Sequence, residues 1–245
     1  MDSTQEELAS LNQNLRGIID RYQDSHGKIL YFALMADKRM VEYAETLSDF
    51  DMSTLTTREA KLAFWINNYN ALSIYGVVKK LEKDPDFAIK GNKSCFGRVR
   101  FFAVQKFNVG GKEYTLKTIE DNIRKDFEDP RIHFALNCSS LGCPLLKDGL
   151  YSADNIDKEL DAATRLYLSS QEGLRLDKKV DILYVSMIFK WYKKDFEATG
   201  EKVIDYIREY APNHIREFID DKRGKVKLKN MQYDWTLNVS AQEEN

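Results

Sequence analysis

The stretch AFWINNYNALSIYGVVKKL, residues 63–81, decides how the rest of the chain is read. Phe64, Trp65, Ile66, Leu72, Ile74, Tyr75, Val77 and Val78 go right round a helix of 3.6 residues per turn, and a helix apolar on nearly every face belongs inside a protein. Just upstream, Thr56 and Glu59 have the spacing of a capping box, which predicts a helix start there. Asn67 and Asn70 fall on the side of Ile74 and Val77, and Asn68 on the side of Phe64 and Tyr75. A buried amide without partners costs about 1–3 kcal/mol. These amides therefore either clamp neighbouring backbone or orient a catalytic or ligand-binding group.

On the N-terminal side, Leu8, Leu11, Leu15, Ile18 and Ile19 recur at helical spacing, and a second helical stretch is expected from about Lys28 to Leu47. On the C-terminal side, FFAVQKFNV and KEYTL are joined across Gly110-Gly111, which predicts a hairpin. Thr115 or Thr118 caps the helical TIEDNIRKDF, Asp129-Pro130 stops it, and IHFALNC (132–138) reads as a buried strand. A helix over about 155–169, a second hairpin in LRLDKKVDILYVS, two amphipathic helices in IFKWYKKDF and VIDYIREYA, and a strand or two in KVKLKNMQYDWTL complete the pattern. The expected fold is α+β, with a central, largely antiparallel sheet packed on the buried helix and helices from both termini covering it. The expected organisation is an N-terminal helical extension over 1–55, one domain over 56–240 and a polar tail over 241–245.

Of 245 residues, 43% are apolar and 12% aromatic, which suffices for a packed core. Lys and Arg number 37 against 39 Asp and Glu, and a net charge of −2 provides no overall field to draw nucleic acid or an anionic membrane. The alternating Lys222, Arg223, Lys225, Lys227 and Lys229 read as a solvated strand face. The polar, acidic start and the absence of any run of about 18 apolar residues predict a cytoplasmic protein with no membrane partner. No phosphate-binding, dinucleotide-binding, zincin or nucleophile-elbow motif is present.

The chemistry-bearing residues converge on DPRIHFALNCSSLGCP, residues 129–144, which gathers Arg131, His133, Cys138 and Cys143. A Cys/His pair suggests thiolate chemistry, the imidazole assisting ionisation of the thiol. In a regular strand His133 and Cys138 face opposite sides, so they meet only if the chain bends. The alternatives are that His133 pairs with Cys143 or with Glu120, that it bonds a carbonyl while Cys138 is a buried apolar residue, that both cysteines join His133 at a zinc ion, or that they form a reversible disulfide. With only His26 and His214 besides, a closed four-ligand zinc site lacks donors, and no metal or other cofactor is expected.

The segments AFWINNYNAL, YTLKTIED, DPRIHFALNCSSLGCP, IFKWYKKDF and YDWTLN, in that order, make the chain resemble the domain of unknown function 547 family over roughly residues 62–238. The resemblance carries over Trp65, Asn67, Tyr69, Asn70, Glu120, Asp129, Arg131, His133, Cys138, Cys143, Pro144, Trp191, Asp195, Phe196, Trp235 and Asn238 as motif positions. The chain departs from the family pattern at Asp121, where that family has histidine, and at Leu145, where a second proline is common. The resemblance implies that the asparagine helix, Glu120 and the His/Cys segment share one polar site, in a layout similar to papain-like and transglutaminase-like enzymes. The expected function is a thiol-dependent hydrolase or acyltransferase with Cys138 as nucleophile, His133 as base, and Glu120, Asn67 or Asn70 as orienters. The alternative is a non-catalytic module that binds an unidentified protein or small molecule.

Overall fold

Thr57 precedes the central helix with an extended backbone, and its hydroxyl oxygen accepts a hydrogen bond from the Ala60 N–H at 3.1 Å. The helix runs Arg58–Leu81, capped by Thr57 rather than by the expected Thr56. Glu59 in its first turn and Lys79 and Lys80 in its last complement the helix dipole. Seventeen of its 24 residues are buried, as its all-round apolar surface requires. The structure, a computed structural model, describes residues 3–198, 200–222 and 225–240. Arg223 of the basic cluster and the polar tail 241–245 lie outside the described residues.

One core surrounds this helix. It takes Leu11, Leu15 and Ile18 from Ser3–Tyr22, Met40, Tyr43 and Leu47 from Arg39–Asp49, and Leu116, Ile119 and Ile123 from Leu116–Phe127. Each fully buried Leu or Ile contributes about 1.5–3 kcal/mol, so the N-terminal helices are integral to this core. The helical stretch expected over 28–47 is broken into Tyr31–Met35 and Arg39–Asp49. Thr115 and Thr118 cap Leu116–Phe127 together, each side chain serving the other's backbone N–H.

A second core lies beyond it, built from Tyr167 and Leu168 at the end of the helix Ile156–Leu168, from a small sheet, and from Phe189, Phe196, Ile204, Ile207, Ile215 and Ile219. In that sheet Leu174–Asp177 pairs antiparallel with Ile182–Val185, which pairs in parallel with Lys227–Asn230. IFKWYKKDF folds into two short turns, Ile188–Trp191 and Lys193–Phe196, and VIDYIREYA into the helix Val203–Tyr210. A further helix, Asn213–Asp221, buries Ile215, Phe218 and Ile219.

The α+β class holds, but the strands do not form one central sheet among the described residues. Phe107–Val109 and Lys112–Tyr114 make an isolated hairpin, and the other three strands form the sheet of the second core. IHFALNC is not a strand. Asp129 accepts a hydrogen bond from the Arg131 N–H and Pro130 occupies the first position of a tight helical turn, Pro130–Phe134. An acidic cap followed by proline is a helix-start signal, and it overrides the strand-like run that follows. This turn is the seam of the molecule, because Ile132, Ala135 and Leu136 enter the first core while Phe134 enters the second.

Candidate functional site

Two of the three asparagines of the central helix, Asn67 and Asn70, face backbone outside any regular element. Asn67 donates through Nδ2 to the Tyr151 carbonyl and accepts through Oδ1 from the Tyr151 N–H, both at 2.9 Å. Asn70 grips the seam likewise, donating to the Ala135 carbonyl at 3.0 Å and accepting from the Asn137 N–H at 2.7 Å. Asn68 accepts from the Tyr43 hydroxyl at 2.6 Å and donates to the Phe64 carbonyl of its own helix. Every amide is paired, and Asn67 and Asn70 act as two-point clamps on the loop that carries the cysteines.

That loop is held from other sides too. Asn137 donates to the Pro144 carbonyl at 2.7 Å and accepts from the Ser139 N–H at 2.8 Å. Ser139 has φ +61°, left-handed and strained for a non-glycine residue, and its hydroxyl meets that of Ser73 at 2.8 Å. The C-terminal segment runs alongside, the Asn238 N–H donating to the Ser139 carbonyl and the Gly142 N–H to the Asp234 carbonyl. A Cβ on Gly142 would stand 2.9 Å from the Asp234 nitrogen, so this approach requires glycine. Between these restraints Cys138 and Cys143 are joined in a disulfide.

The two sulfurs differ in access. Cys138 is half-buried, whereas Cys143 is buried. The Tyr233 hydroxyl lies 3.3 Å from Cys138 Sγ and 3.1 Å from Cys143 Sγ. Tyr233 packs against Trp191 and Trp235 with ring centroids 4.9 and 4.6 Å away, and Trp191 is 43% exposed. A cleft of ≈ 1350 Å³, bordered by Gln23, His26, Leu146, Glu159 and Tyr167, includes Cys143 in its wall.

His133 takes part in a different network. Its Nε2 donates to Asp195 Oδ2 at 2.8 Å, and the same carboxylate receives Arg124 through Nε at 2.7 Å and Nη2 at 3.0 Å. The imidazole stacks on Tyr192 at 3.9 Å, Arg124 lies over that ring, and the Tyr192 hydroxyl donates to Glu120. Burial alone would raise the Asp195 carboxyl, but His133 and Arg124 hold it well below the usual carboxylate range. Burial raises the Tyr69, Tyr192 and Tyr233 phenols, and the Glu120 charge raises each further, so all three remain protonated donors. For Tyr233, burial and then Tyr167 and Tyr192 outweigh the Glu120 charge.

The residues singled out from the sequence do occupy one district, with a division of labour that spacing did not reveal. Cys138 faces Cys143 and Tyr233, His133 faces Asp195, Glu120 binds Tyr192, and Asn67 and Asn70 bind backbone. Tyr192 and Tyr233, the phenols beside His133 and the two sulfurs, are additional to the residues singled out from the sequence, although both lie within its motif segments IFKWYKKDF and YDWTLN. Arg131 is absorbed by Asp129, Asp157 and Asp161, tying the seam to the helix Ile156–Leu168. Asp121 pairs with Lys117 at the surface and lies 3.4 Å from Arg124 Nη1. Among the described residues no group of three or more His, Cys, Asp or Glu side chains is placed to hold a metal ion, and no helix is long and apolar enough to cross a membrane.

Residues 52–168, just under half of the chain, match the model of the family described as "Protein of unknown function, DUF547". The chain resembles that family, and the matched region contains the amide clamps, Glu120, His133 and both cysteines of the loop. Tyr192, Asp195 and Tyr233 lie beyond it. No curated protein and no solved structure matches the chain.

Proposed function

We propose that the loop holding Cys138 and Cys143 is a thiol–disulfide exchange site, with Cys138 as the reactive sulfur and Cys143 as its resolving partner. The observation that carries this reading is the asymmetry of the pair, one sulfur half-open and one buried, with a neutral phenol within reach of both. A thiolate from a substrate dithiol attacks Cys138 Sγ, the Cys138–Cys143 bond breaks, and Cys143 leaves as a thiolate that the Tyr233 hydroxyl stabilises by a hydrogen bond. The second substrate thiolate then displaces Cys138, so the substrate is oxidised by two electrons to a disulfide and the protein pair is reduced. Exchange needs a thiolate and an accessible sulfur but no general base, and so is compatible with an imidazole engaged elsewhere.

The hydrolase or acyltransferase reading is favoured by one observation, the His133–Asp195 pair, which has the acid-oriented imidazole that acyl transfer uses. It requires reduced Cys138 and a movement of His133 toward the sulfur. The experiment is to reduce the folded protein, add oxidised glutathione and follow adducts by mass spectrometry. Exchange predicts a mixed disulfide on Cys138 that resolves to Cys138–Cys143, is trapped by Cys143→Ser, and forms several-fold more slowly in Tyr233→Phe. If ester hydrolysis appears on reduction and vanishes in His133→Ala, acyl transfer is the better account. If dithiothreitol opens the bond only as the protein unfolds, the disulfide is a brace and the domain is a binding module.

A further inference from the structure

Overall charge balance conceals a local imbalance. Residues 87–112 contain Lys90, Lys93, Arg98, Arg100, Lys106 and Lys112 and no Asp or Glu. The same segment exposes Ile89 at 76%, Phe96 at 77%, Val99 at 52% and Val104 at 60%. Large apolar side chains so open to water, gathered in one segment, mark a contact surface.

The local fold explains why they are gathered. The Ser94 hydroxyl oxygen accepts from the Gly97 N–H and starts the helix Cys95–Val99, which passes without a break into the wider helical turn Arg100–Val104. Phe101 is fully buried beside Phe87 and Phe102, so one side of this rod is fixed to the core. Phe96 and Val99, three residues apart, and then Ala103 and Val104 are exposed. Arg98 anchors the rod by donating to the Asn92 and Lys93 carbonyls and lying over Trp235 at 4.8 Å. The rod is thus apolar on its outward side as well as its inward one.

Cations flank the outward side. Arg100 is exposed and has no acidic partner among the described residues; burial depresses the Lys80 ammonium, and the nearby Arg100 depresses it further. Lys93 is exposed, and its ammonium donates to the Ile89 carbonyl with the Asp234 carboxylate near enough to feel its charge. The acids nearby are committed, Asp84 and Asp86 to Lys90 and Glu113 to Lys106. A phenylalanine three-quarters open to water protrudes from the surface, and a protruding apolar ring suits a deformable apolar phase better than a shaped protein pocket. Cations beside it select for negative charge on that phase.

We infer that the rod over residues 95–104 docks on an anionic lipid surface, with Phe96, Val99 and Val104 entering the boundary between headgroups and acyl chains and Lys93 and Arg100 meeting lipid phosphates. Docking is peripheral and leaves the fold unchanged. Cys95, exposed and unpaired beside Phe96, offers a reporter position.

The test uses the whole chain carrying an environment-sensitive fluorophore on Cys95, mixed with phosphatidylcholine vesicles with or without about one third phosphatidylserine. The expected result is a blue-shifted label and binding at least about tenfold tighter to the anionic vesicles, weakened by salt. Phe96→Ser with Val99→Ser, and separately Arg100→Glu, should each reduce binding about tenfold while the melting temperature is kept. A label that stays in water on both vesicle types at low salt overturns the inference. So does concentration-dependent self-association abolished by Phe96→Ser without vesicle binding, which would make the face a contact between copies.

Discussion

Two polar constructions meet at the turn Pro130–Phe134, and they are built on opposite plans. On the side of the central helix, Asn67, Asn70 and Ser73 are neutral, nearly inaccessible and paired, mostly with backbone. On the side of the second core, Arg124, Asp195 and His133 form an ionic group whose carboxylate is 25% exposed and whose partners are all side chains. Neutral amides that bind backbone fix a shape and respond to little else, whereas a half-open charge group responds to pH and salt. The cysteine loop takes its geometry from the first construction.

The sharpest way to break this contrast is Asn70→Leu. It strands the Ala135 carbonyl and the Asn137 N–H, each at about 1–3 kcal/mol, so urea melts should lose roughly 2–4 kcal/mol despite the added apolar bulk, and Asn67→Leu should behave alike. A loss under about 0.5 kcal/mol would show that the amides are not what holds the loop. Gly142→Ala comes next, at about 1–3 kcal/mol, because the new methyl group meets the Asp234 backbone; reopening of the C-terminal segment should appear as faster amide exchange at Gly142.

On the ionic side, Asp195→Asn should cost only about 1 kcal/mol near neutral pH, since the carboxylate and Arg124 are each one-quarter exposed and the amide oxygen can still accept from the buried His133. Its pH dependence is the distinguishing mark. The folded carboxyl titrates below its unfolded value, so its contribution is full above about pH 4 and fades as pH falls through the folded pKa. Wild-type and Asp195→Asn stabilities should therefore converge in acid, while the Asn70→Leu deficit should not change with pH; parallel curves for Asp195→Asn would contradict the assigned ionic role. Asp121→Ala, which removes an exposed pair with Lys117 and a long contact with Arg124, should shift stability by less than about 0.5 kcal/mol in the same melts, and a larger loss would mean that Asp121 supports the ionic group through Arg124.

What was legible in the sequence followed from local rules. The central helix announced itself because apolar residues on every face leave it no solvent side, and the Gly110-Gly111 hairpin because both glycines take positive φ. The asparagines could be read as clamps, but their partners could not, since a backbone N–H or carbonyl has no signature in the residue that carries it. His133 and Asp195 are 62 residues apart, and no spacing rule joins them. The seam was misread because the apolar run IHFALNC outweighed the cap that precedes it. The helix Asn213–Asp221 went unread although Ile215, Phe218 and Ile219 have helical spacing. The outward apolar side of residues 95–104 was hidden because FFAVQKFNV reads as one strand of the hairpin, whereas only Phe107–Val109 is a strand and Arg100–Val104 is helical.

Residues 233–240 reach back across most of the chain. Leu237 bridges to Ser140, Val239 to Ile29, and Tyr233 to both sulfurs. During synthesis the amide-clamped loop can form long before these partners leave the ribosome, so for that interval the cysteines have neither their phenol nor the strand that flanks them. The order of manufacture separates the amide clamps from the C-terminal brace in time: the clamps close first, and the phenol reaches the sulfurs only when the last of these residues arrives.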